Sequence, residues 1–130
     1  MDEQSRKLAF WETVGSVLWF LMDACWMLEW SGAARLLIAP TVVPNLWAFR
    51  YTERSPAALA ITAAMNSWLA MNCCWMVADL GGPPVLLTLA RVFLGAGIVL
   101  IAFSVIVTLR ERQSLLTILG RFRRFRFGAS

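Results

Sequence analysis

The dominant constraint on this chain is where its apolar residues fall. They gather into four stretches, at about 10–30, 34–49, 57–78 and 85–109. A helix needs about 20 mostly apolar residues to cross a hydrocarbon core of ~30 Å. Three stretches meet that length. The second is shorter and holds Pro40 and Pro44, yet its flanks bring it into the usual range. Hydrophobic residues make up 59% of the 130 and charged residues only 15%, with a mean hydropathy of +0.65. A soluble domain of this size cannot hide that much apolar surface. The expected fold is an all-α integral membrane protein: four transmembrane helices forming a single membrane domain over residues 1–130.

Inside two of the stretches a nonapeptide recurs. Residues 19–27 read WFLMDACWM and residues 68–76 read WLAMNCCWM, 49 positions apart. Trp19, Met22, Cys25, Trp26 and Met27 return as Trp68, Met71, Cys74, Trp75 and Met76, while Asp23 becomes Asn72. Five identities among infrequent residue types point to duplication of a two-helix unit, with repeats at about 10–54 and 55–110. Because the second copy is internal, the first copy is expected to be a true span and not a cleaved signal segment.

Lys and Arg placement sets the orientation. Arg6, Lys7, Arg50, Arg54, Arg110, Arg112, Arg121, Arg123, Arg124 and Arg126 fall on one side, against Arg35 and Arg91 on the other. Both termini are thus expected in the cytoplasm, with the chain in a bacterial-type inner (plasma) membrane. The repeats then run parallel, related by an axis along the membrane normal. The net charge of +4 is accounted for by this asymmetry, and no nucleic-acid partner is expected. Residues 111–130 form a basic tail. Leu115, Ile118, Leu119 and Phe122 share a helical face, so the tail is expected to lie on the cytoplasmic leaflet. Arg121, Arg123, Arg124 and Arg126 would hold anionic lipid headgroups.

Spacing defines a stripe in each copy. Trp19, Asp23, Trp26 and Trp30 are separated by steps of 4, 3 and 4, as are Trp68, Asn72, Trp75 and Asp79, which puts each set on one helix face. The parallel relation predicts that both stripes face a common axis. Asp23 is the principal candidate. An ionised carboxylate near a helix centre costs about 2.5–3.5 kcal/mol on insertion scales, so it protonates, pairs, or lines water. Asn72 is its expected polar partner, and Trp19, Trp26, Trp68 and Trp75 are expected to line the path. The competing reading makes Asp23 a clasp between helices.

Glu29, Asp79 and Arg91 form an expected charge cluster at the outer face, where a structural salt bridge is favoured. Met22 with Cys25 and Met71 with Cys74 offer sulfur at helical spacing, which suits Cu(I); packing is the simpler role. Cys25, Cys73 and Cys74 make no CxxC, and the chain has no His, so neither a disulfide framework nor a zinc site is expected. No catalytic constellation is present, and neither enzymatic activity nor a cofactor is expected. The preferred function is permeation or transport of a proton, cation or small cationic solute by a homo-oligomer. The alternative is an accessory or scaffold subunit of a larger membrane complex.

Turn signals complete the reading. Ser31-Gly32 is expected to join the first two spans. Ser55 should cap the third with Pro56 in its first turn, and Gly81-Gly82-Pro83-Pro84 should end it. Pro40 and Pro44 should kink the second, with Asn45 a donor for a freed carbonyl.

Overall fold

A computed structural model describes the backbone of residues 2–127 and the side chains of residues 2–112. The arginines assigned to lipid headgroups, Arg121, Arg123, Arg124 and Arg126, lie outside the described side chains. The order is α1 (Glu3–Met27), α2 (Ser31–Leu36), α3 (Ile38–Ala48), a 3₁₀ turn (Phe49–Tyr51), α4 (Pro56–Asp79) and α5 (Val85–Phe127). There is no strand among the described residues.

Three helices are long and apolar enough to cross a membrane: α1, α4, and α5 over Val85–Arg112. At 1.5 Å per residue even the 24-residue α4 is about 36 Å long. The second apolar stretch differs from the single kinked helix expected. It is broken at Leu37 into two short helices. Pro40 has no N–H to give the Leu36 carbonyl four residues back, and the helix parts beside that carbonyl. The path stays helical, because the Leu37 N–H reaches the Ala33 carbonyl and the Thr41 N–H reaches the Leu37 carbonyl, both at 3.0 Å. Asn45 does act as a donor, but to the Thr41 carbonyl at 2.8 Å and not to one freed by a proline.

The helix ends follow local chemistry. Asp2 caps α1 by accepting from the Ser5 N–H at 2.7 Å. Ser55 caps α4 by accepting from the Ala58 N–H at 3.2 Å, as its place before Pro56 predicts. Gly81 ends α4 with φ 84°. Its N–H and that of Gly82 reach the Ala78 and Val77 carbonyls at 3.2 and 2.8 Å, a Schellman closure. The first turn departs from expectation. Ser31 already begins α2, and Glu29, at φ 58°, takes the left-handed position. The Glu29 and Trp30 N–H groups bond the Trp26 and Cys25 carbonyls, both at 2.9 Å. Trp30 therefore stands beyond α1 and is not part of its stripe.

Two pairings organise the bundle: α1 lies against α2 and α3, and α4 lies along α5. Small residues set the closeness of both. Gly15 is buried on α1, where an added Cβ would come within 2.6 Å of the Asn45 amide nitrogen. On α4 and α5, Ala60, Ala64, Ala90 and Gly97 are buried. Ser67 and Ser104 stitch that seam by donating to the Phe93 and Ala57 carbonyls at 2.7 and 3.0 Å. Van der Waals packing and interhelical hydrogen bonds of this kind drive helix association in lipid. The two pairs meet in a core of Met22, Ala34, Leu69, Cys73 and Met76, with Trp19 and Trp26 packed against it.

Candidate functional site

Asp23 sits on α1 within the nonapeptide, one residue past the fully buried Met22. The residue is half-buried, but its Oδ1 is buried without a hydrogen-bond partner. Asn72, half-buried on α4, therefore does not donate to that oxygen, and the expected pair is not formed within the chain. Thr41 Oγ1 on α3 is likewise buried and unpartnered. An orphaned buried oxygen is costly, and more so if charged.

The stripes do not both turn inward. Trp19 and Trp26 pack against the core. Trp68 and Trp75 are about half exposed, at 48% and 50%. The buried side of α4 is instead made by Leu69, Met71, Cys73 and Met76. The α1 stripe thus docks on a neighbouring face of α4, and the two tryptophans of the matching α4 stripe stay outside that core. Two open apolar grooves run beside that stripe. One is lined by Met71, Trp75, Leu87, Ala90, Arg91 and Leu94 and encloses about 170 Å³. The other, of about 110 Å³, includes Trp68, Gly97 and Ile98.

The outer-face cluster also resolves differently. Asp79 accepts the indole N–H of Trp26 at 2.8 Å. Arg91 lines the Trp75 groove, and Glu29 is exposed beyond the end of α1. Among the described residues the one ion pair is Lys7–Glu3, at 2.6 Å, so Glu29, Asp79 and Arg91 are not bridged. Arg35, treated from the sequence only as a topology signal, donates to the Leu80 carbonyl and ties α2 to the end of α4. At the other end Gln4 donates to the Tyr51 carbonyl at 3.2 Å. The Arg50 guanidinium stands 4.8 Å over the Trp47 ring, and that ring meets Trp11 edge-on at 6.3 Å. A carbonyl that a distant side chain will reach carries no sequence signal, so these ties were not legible in advance.

The sulfur groups are sorted in a new way. Met22, Cys25, Cys73 and Met76 share the core, whereas Met71 turns toward α5, where it lines the groove with Leu87 and Ala90. The alternative Cu(I) set of Met22, Cys25, Met71 and Cys74 is therefore not gathered in one place, since Met71 stands apart from Met22 and Cys25. No group of three or more His, Cys, Asp or Glu residues able to hold a metal ion occurs among the described residues.

Comparisons with known proteins add no relative: no family matches the chain, and no curated protein or solved structure matches it.

Proposed function

We propose that this chain is a membrane transport or permeation protein for a proton, cation or small cationic solute, with Asp23 as its central binding group. The observation that carries this reading is the buried Asp23 Oδ1, left without a hydrogen-bond partner about one turn before the end of an apolar helix. A buried carboxylate oxygen without a hydrogen-bond partner is a place for a proton or a cation, and intramembrane acids are functional candidates by default. Reconstitution of Asp23→Asn in liposomes tests it. Loss of proton or cation flux is expected, and unchanged flux overturns the reading.

The finer architecture belongs to the same proposal. The chain crosses the membrane four times with both termini cytoplasmic, the second crossing made by the helical path from Ser31 to Tyr51, about 31 Å long at 1.5 Å per residue. It is built as two parallel helix pairs, α1 with α2–α3 and α4 with α5. Burial supports this. Gly15 and Ala64, Met22 and Met71, Thr41 and Ala90, and Ala48 and Gly97 are each 49 positions apart, and all eight are buried. Gly15 lies against Asn45 of its own unit, and Gly97 against Ala64 and Ser67 of its own.

One observation favours the second reading, an accessory subunit of a larger complex. The Trp68–Trp75 half of the stripe looks outward, as a partner-facing surface would. Purification in native lipid discriminates the two: a stoichiometric foreign subunit supports the accessory role, and its absence supports transport.

A further inference from the structure

The two helix pairs join through unlike faces. Trp19 and Trp26 of α1, with Leu37, Ile38 and Val42, form one side of the junction, and Leu69, Cys73, Met76, Val77 and Leu80 of α4 fill it. Shifted by 49 positions, the groove lined by Met71, Trp75, Leu87, Ala90, Arg91 and Leu94 corresponds to Met22, Trp26, Ile38, Thr41, Val42 and Asn45. Four of those six belong to the filled junction. The open groove of the second pair is thus the counterpart of the surface that α4 covers in the first.

The counterpart of the filling ridge is open too. Leu69, Cys73, Met76 and Val77 correspond to Phe20, Ala24, Met27 and Leu28. Phe20 is 75% exposed and Met27 80% exposed. One unit of the chain therefore carries an empty groove, and the other carries the ridge that fits it.

The geometry points to a second copy of this chain as the occupant: the ridge Phe20–Ala24–Met27–Leu28 of each copy fills the Trp75–Arg91 groove of the other. This rests on the parallel two-helix repeat proposed above and does not require transport. A head-to-tail contact closes into a ring only if its rotation permits. On α1 the stripe of Trp19, Asp23 and Trp26 and the ridge of Phe20, Ala24 and Met27 are centred about 100° apart, at 100° per residue. A four-membered ring needs about 90° at each corner. Two chains supply four units, so the ring closes as a twofold dimer. Asp23 and Asn72 of both copies then face its axis.

Charge agrees with the same docking. Val42 and Val77 pack on one core, and their counterparts are Arg91 and Leu28, with Glu29 next in the chain. Arg91 of one copy thereby meets Glu29 of the other. The Trp26–Asp79 hydrogen bond is not repeated, because the counterpart of Asp79 is Trp30.

The full chain, in micelles and in lipid nanodiscs, is tested by light scattering. A photoreactive benzoylphenylalanine placed at Phe20 reports the neighbour. A dimer is expected, with crosslinks from position 20 to the α4–α5 hairpin of another copy. Arg91→Glu and Glu29→Arg, with helical content checked by circular dichroism, should each raise the dimer dissociation constant by at least about tenfold. Together they should restore it. A monomer, an open ladder of larger species, crosslinks to lipid alone, or a double reversal no better than either single one overturns the inference. A dimer whose flux ignores Asp23→Asn overturns only the transport reading.

Discussion

The indole N–H of Trp26 donates to a carboxylate oxygen of Asp79 at 2.8 Å, joining the C-terminal ends of α1 and α4 across 53 residues of sequence. With Arg35 reaching the Leu80 carbonyl, it fastens the first helix pair to the second where helices fray most easily. Trp26→Phe removes the donor and keeps most of the ring. It should lower unfolding free energy by about 0.5–1.5 kcal/mol. Combined with Asp79→Ala it should cost little more than either change alone, as a double-mutant cycle of unfolding in mixed micelles would measure.

Gly15 sets the spacing of α1 and α3. A Cβ there meets the Asn45 amide nitrogen at 2.6 Å and its carbon at 2.9 Å. To yield, Asn45 must leave its 2.8 Å bond to the Thr41 carbonyl. Gly15→Ala should destabilise by about 1–3 kcal/mol, and Asn45→Ala in the same chain should recover most of that loss.

Asp23→Asn separates binding from clasping by stability alone. No hydrogen bond reaches Asp23 Oδ1, so the substitution should lower unfolding free energy by no more than roughly 0.5 kcal/mol. An interhelical clasp would lose about 0.6–1.7 kcal/mol. Equilibrium unfolding of the two proteins side by side decides between them.

Gly81 is held at φ 84° with no neighbour within 4 Å of where a Cβ would stand. Gly81→Ala should therefore cost about 1–2 kcal/mol through backbone strain alone. Faster hydrogen exchange at the Gly82 amide, whose bond to Val77 closes the helix, would accompany it.

Much of the architecture was legible in the residues. Apolar run length marked α1, α4 and α5, Ser55-Pro56 marked the start of α4, and Gly81-Gly82 marked its end, because each is a local rule. Pro40 signalled disruption of the second stretch, though only the structure placed the break at Leu37. Glu29 was opaque as a turn residue, since its left-handed backbone defies its type and a glycine stood three positions later.

The sequence by itself determined which residues share a helix face, since a helical period fixes that for any helix. It therefore identified both Trp stripes and the Asp23–Asn72 difference. Which face meets which neighbour was decided only by the tertiary structure. The α1 stripe found its partner in Leu69, Cys73 and Met76, while Trp68 and Trp75 remained half exposed. The physical reason is packing: two helix pairs can join through like faces or unlike ones, with the same spacing in both cases. Side-chain volume and close approach choose between them, and neither is written in the period of a single helix.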